Sequence, residues 1–169
     1  QLARGGGLLE VAAAARAAPR PVGPARANDT LLDGLASWFT DGPAAGAPLI
    51  KRALSAFRTD DIASQDALRW LAFASRVAAD APWDFEAWEA LVDRHIRLVR
   101  KAGSLSLLQL ALMARIHAHV FAGELAAAAS LSEESEAVTE ATRIHFPRYG
   151  VLAVAAWRGR EADTLELID

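Results

Sequence analysis

The chain contains no cysteine, which excludes disulfides and thiolate metal sites and suits a reducing, cytoplasmic setting. It also lacks an excess of positive charge. The formal net charge is −3, so no overall field invites a nucleic-acid backbone. Residues 102–169 hold 5 Lys+Arg against 9 Asp+Glu and would repel a phosphate. No apolar run approaches the roughly 20 residues of a membrane-spanning helix. Glu10 and Arg16 interrupt any signal-peptide core, so neither membrane insertion nor export is expected. Lysine is scarce, 2 against 16 arginines, a bias that suits a GC-rich coding sequence and carries no mechanism.

The motifs of common chemistries are missing as well. No G-x-x-x-x-G-K-[ST] occurs, and Gly5-Gly6-Gly7 is followed by no Lys-Ser/Thr pair, so a phosphate cradle is lacking. There is no G-x-S-x-G elbow for a serine nucleophile. No His-Glu-x-x-His or His-x-x-x-His spacing offers a zinc site. No basic helix pair closes the chain as a DNA reader. The expectation is a non-catalytic protein with no cofactor, no metal and no direct nucleic-acid contact.

What is present points to helices. Hydrophobic residues make up 53% of the 169 and charged residues 23%, the balance of a globular domain with a real core. Alanine fills 39 positions, and it loses no side-chain entropy on entering a helix. Gly42-Pro43, Asp60-Asp61, Pro82, Gly103, Gly123, Pro147 and Gly159 punctuate stretches of helical periodicity, as chain stops should. Asn28, Asp61, Asp84 and Ser104 are the expected N-caps. Apolar stripes such as Ile50–Ala53–Leu54–Phe57 and Leu105–Leu108–Leu112–Ile116–Val120 recur between the stops. Eight good helices result, and a weaker alanine-rich one near Gly7–Ala18 makes nine. Two segments are read: 1–27, an alanine-rich helix with a Pro-rich loop at Pro19–Ala27, and 28–169, the main domain.

Short connections make neighbouring helices antiparallel, so the predicted architecture is all-α, with stacked helical hairpins. The helix ends Trp38-Phe39…Gly42, His119-Val-Phe121-Ala-Gly123 and Ala155-Ala-Trp157-Arg-Gly159 resemble one another. Phe121 to Trp157 is a shift of 36 residues, near the roughly 34 of a tetratricopeptide unit. A degenerate tetratricopeptide-like array is predicted, with an irregular bundle as the alternative. In that register the helices bearing Trp70, His119 and Trp157 are the first members of their pairs and line the concave side.

The stretches APLIKRALSAFRTDD (47–61), DALRWLAFASRVAADAPWDFEAWEAL (66–91), ARIHAHVFAGELAAAASL (114–131) and LAVAAWRGREADTLELI (152–168) carry a further likeness. They resemble the central helical-repeat region of large ATP-binding LuxR-type transcriptional regulators. The likeness covers most of residues 29–169, with VFAGE and AWRGRE as its best marks. It implies a segment of a larger protein, flanked by a nucleotide-binding module and a helix-turn-helix. Its implied role is to bind a protein partner or a small-molecule effector and pass the signal to those other domains. A structural spacer or oligomerisation module, for instance a homodimer, is the alternative.

Six residues are candidates for a groove or interaction surface: Trp70, Trp88, His95, Arg115, His119 and Trp157. His95 and His119 fall on the apolar arcs of consecutive helices, either as hydrogen-bonded core histidines or as a polar spot facing a ligand. The five tryptophans divide between core packing and groove walls, where amphipathic indoles anchor partners. Asp60, Asp61 and Asp66 read as helix-junction residues. Glu133, Glu134, Glu136 and Glu140 read as a solvated face, and Arg94, Arg97, Arg100 and Lys101 as a basic edge.

Overall fold

The computed structural model describes residues 7–19, 23–59, 64–145 and 147–168, the side chains of 64–67 and 79 excepted. Among the described residues there are nine helices and no strand. They are α1 (Leu8–Ala17), α2 (Ala27–Asp41), α3 (Pro43–Thr59), α4 (Ser64–Asp80), α5 (Phe85–Ala102), α6 (Leu105–Phe121), α7 (Leu125–Thr142), α8 (Tyr149–Trp157) and α9 (Glu161–Ile168). The pairs α2/α3, α4/α5, α6/α7 and α8/α9 pack as hairpins, and α1 lies against α2. Successive hairpins join through α3 on α4 and α5, α4 on α6, α5 on α6, and α8 on both α6 and α7. The protein is an all-α array of helical hairpins.

The turns show why the hairpins repeat. Gly123 (φ 78°) and Gly159 (φ 69°) adopt the left-handed conformation that costs glycine nothing. Glu124 N–H then donates to His119 C=O at 2.8 Å, and Arg160 N–H donates to Ala155 C=O at 3.0 Å. These two bonds are related by the same 36-residue shift. Gly103 (φ 66°) closes α5 in a similar way, with Ser104 N–H on Val99 C=O at 3.3 Å.

The N-caps differ in part from the expectation. Asp84 caps α5 through Ala87 N–H at 3.0 Å. Ser104 holds the N-cap position of α6 without a side-chain bond. Asn28 lies inside α2: Arg26 is the N-cap, and its N–H is satisfied by the Asp29 carboxylate at 3.1 Å. The Asp29 carboxylate reaches back to the N-cap N–H, the reciprocal half of a capping box, and Asn28 is not the cap. Asp60 and Asp61 lie outside the described residues, as do residues 20–22 of the Pro-rich segment.

The core runs along the seam of the array in three clusters. Leu31, Ile50, Leu54, Phe57, Leu71, Leu91 and Val92 fill the first, between α2, α3, α4 and α5. Val99, Leu108, Leu112 and Val138 fill the second, and Ile116, Val120, Ala128 and Val154 the third. Each fully buried side chain of this size contributes about 1.5–3 kcal/mol. Glycine sets the closest crossing. A β-carbon on Gly46 would lie 2.6 Å from Gly34 O and from Trp38 N, so α2 and α3 meet backbone to backbone.

Surface charges tie neighbouring helices together. Arg100 makes two hydrogen bonds to the Glu134 carboxylate, at 2.8 and 2.9 Å, joining the basic edge of α5 to the acidic face of α7. Arg94 donates to Phe57 C=O at the end of α3. Such arginines close the array and are not a free anion-binding strip.

Candidate functional site

The inner helices α4, α6 and α8 lie side by side and leave a groove of about 820 Å³. These are the helices that the repeat register assigns to the concave side. On α6 the groove face is Leu110, Met113, Ala114, His117 and Phe121, a spacing of three and four that keeps one stripe turned inward. On α4 the same spacing presents Arg69, Phe73, Arg76 and Asp80. Tyr149, Leu152, Ala156 and Trp157 complete it from α8. A hollow of about 570 Å³ between α1, α2 and α4 adjoins it and shares Phe73, Arg76 and Asp80.

The walls are largely apolar, and one end is aromatic. Phe121 meets three indoles edge to face: Trp83 at 5.6 Å, Trp88 at 5.6 Å and Trp157 at 5.5 Å between ring centroids. Phe85 meets Trp88 in turn at 5.8 Å. Trp88 is buried, whereas Trp83 is 66% exposed, Trp157 55% and Phe121 48%. Apolar lining with few polar groups is the general character of ligand-binding clefts.

The polar groups of the groove are few. Arg76 pairs with Asp80 at 2.5 Å along α4. Arg69 makes no ion pair among the described residues. The His117 ring lies with Nδ1 2.8 Å from Met113 C=O. A carbonyl only accepts, so Nδ1 carries the hydrogen. Comparison with protein-family models, with curated proteins and with solved structures finds no match for this chain.

Of the six residues expected at a groove, Trp88 and Trp157 line it. The other four are placed elsewhere. Trp70 is half-buried against the first core cluster, edge to face with Phe73 at 6.2 Å. His95 is wholly buried, and among the described residues neither ring nitrogen has a hydrogen-bond partner. Burial lowers its pKa from 6.5 to about 4, opposed in part by the Leu68 backbone, which lies near without hydrogen-bond geometry.

Arg115 and His119 correct the expectation most clearly. At about 100° per residue they lie beside Leu112 on α6, on the side away from Met113, His117 and Phe121. Arg115 Nε–H donates to His119 Nε2 at 3.1 Å, and His119 Nδ1 lies 2.5 Å from Glu124. The ring is therefore the Nδ1–H tautomer, held between an arginine and a carboxylate. Arg115 Nη1 also sits 3.2 Å from Asp93 and 3.6 Å from Glu89, at ion-pair distance without hydrogen-bond alignment. The set fastens α5, α6 and the start of α7. His95 has no hydrogen-bond partner among the described residues, so it is not bonded to His119, and the two rings serve different surroundings.

Sequence reading missed Phe73, Trp83, His117 and Tyr149 as groove residues. Phe121 was legible, through its 36-residue match to Trp157. Trp83 gave no periodic signal because it sits in the α4–α5 turn. Among the described residues, no group of three His, Asp or Glu is placed to hold a metal ion. No described helix is long and apolar enough to cross a membrane.

Proposed function

We propose that this chain is a non-catalytic interaction domain whose concave groove receives a small-molecule effector or a partner segment. The observation that carries the reading is the groove across α4, α6 and α8, about 820 Å³ of mostly apolar space ending in exposed aromatics. Its volume falls in the range of about 300–1,000 Å³ that suits a small ligand. The three walls come from three successive hairpins, so an occupant would brace the hairpins against one another. Rigidifying the array in this way is a means of signalling to attached domains.

The likeness to the central region of LuxR-type regulators supports placing those attached domains as an ATP-binding module and a DNA-reading helix pair. The coding sequence on either side tests that placement. A phosphate-binding loop upstream and a helix-turn-helix downstream would support it, and the lack of both would remove it.

The groove is tested with Nile red, a neutral fluorophore that brightens and shifts to the blue in apolar sites. The chain should enhance its emission saturably, and Met113→Glu, which puts a charge mid-groove, should abolish most of that gain. Equal enhancement by both proteins would contradict the reading.

An oligomerisation or spacer role draws on a separate observation. Leu8, Leu9 and Val11 on α1 and Leu165 and Ile168 on α9 leave exposed apolar residues on the first and last helices. Light scattering over a range of concentrations separates the two readings. A tight dimer that excludes Nile red favours the second.

A further inference from the structure

Trp83 stands out in the aromatic end of the groove. Its φ is 49°, in the left-handed region where a bulky residue is strained. At three other turns of the array that conformation belongs to Gly103, Gly123 and Gly159. The ring gains little from burial, being 66% exposed. A glycine would make this turn at lower cost; Arg143 (φ 56°) is the other non-glycine residue in this region among the described residues.

The rings of Trp83 and Trp157 stand at 87° and 61° to Phe121, edge to face and not as a stack. Aromatic faces carry negative quadrupole potential, and a cation over them is attracted. α4, α6 and α8 all finish here, at Asp80, Phe121 and Trp157. Helix C-termini bring the negative ends of three macrodipoles to the same end of the groove. Arg76 is the cation of the lining closest in sequence to this end of α4, and it is held on Asp80.

We propose that Trp83, Phe121 and Trp157 form a site for a small quaternary ammonium compound. A primary ammonium would need three hydrogen-bond acceptors on entering, and the carboxylate in the lining, Asp80, is already paired. A quaternary ammonium has no hydrogen to donate and is satisfied by ring faces alone. The inference rests on the groove being a binding site and names the ligand class for its aromatic end.

The test uses the full chain and three probes: choline, its neutral carbon isostere 3,3-dimethylbutan-1-ol of nearly equal size, and the smaller primary ammonium ethanolamine. Indole N–H resonances are followed by NMR. Choline should shift Trp83 and Trp157 saturably, with the other two at least about fivefold weaker, the factor a cation–ring contact supplies. Trp83→Gly should weaken choline at least about fivefold while Tm holds or rises, since the strained turn relaxes. Phe121→Leu gives a second variant that keeps an apolar side chain at the corner. Equal affinity for choline and its isostere, unchanged choline binding in Trp83→Gly, or no saturable shift with choline would each overturn the proposal. Nile red binding in the same samples distinguishes the failures: if it persists, the groove reading stands and the cation site alone is lost.

Discussion

Phe121 and Trp157 occupy the same place in consecutive hairpins, two residues before Gly123 and Gly159, and their rings meet edge to face at 5.5 Å. The left-handed glycine fixes where each helix ends, so the last aromatic of α6 and that of α8 project from the same edge of the array. Repetition in the sequence thus becomes adjacency in space. The inner helices leave these two rings exposed, at 48% and 55%.

The α2–α3 crossing should be the least tolerant point of the fold. A β-carbon on Gly46 meets the backbone of Gly34 and Trp38 at 2.6 Å, and neither can step aside without parting the helices. Gly46→Ala should cost about 3 kcal/mol, the upper range for overpacking. Thermal denaturation should show a fall of about 6–12 °C for a chain of this length. Gly150→Ala meets the flexible tip of Ile116 at 2.9 Å and should cost about 1 kcal/mol. A similar loss at both positions would show that the crossing is not close.

His95 should set the response of stability to acid. Its pKa is lowered in the folded chain to about 4, against 6.5 when unfolded, so the unfolded state takes up the proton first. The neutral ring is fully accommodated above pH 6.5, and stability is lost as pH falls towards 4. The total loss is about 3 kcal/mol. His95→Leu removes no hydrogen bond and should match the parent at pH 7. At pH 5 it should be more stable than the parent by about 2 kcal/mol. Denaturant midpoints at the two pH values check this, and parallel losses in both proteins would count against it.

Arg115 and His119 should behave as fasteners of the array. Replacing both by alanine leaves Asp93 and Glu89 without the Arg115 guanidinium and Glu124 without its imidazole donor. The double variant should lose about 2 kcal/mol of stability. Nile red should bind it as it binds the parent, since neither side chain lines the groove. Unchanged stability with weakened binding would return both residues to the groove.

Much of this architecture was legible because local chemistry marks it. Glycines past helix ends, alanine content and leucine stripes are short-range signals, and they located the helices and the hairpin register. The concave helices followed from that register. The residues that failed to declare themselves depend on long-range packing. Gly34 and Gly46 look like ordinary helix-weakening glycines until α2 and α3 are brought together. His119 shares an apolar arc with Leu112 and Ile116, yet that arc faces α5 and α7, where Arg115 and Glu124 claim it. Trp83 belongs to no stripe, and its role depends on a turn that carries it to Phe121. Periodicity identifies which side of a helix is buried or apolar; only the neighbours decide which side faces the groove.

The five tryptophans offer the most direct test of the groove as the place where ligands enter. Their indole N–H signals, assigned by single substitutions, are followed while the chain is titrated with n-hexanol, a small neutral apolar probe. Trp83, Trp88 and Trp157 line the groove and should shift together along one saturable curve, while Trp70, packed against the core, stays in place. Shifts spread evenly over all five signals, or confined to Trp70, would contradict a binding site formed by α4, α6 and α8.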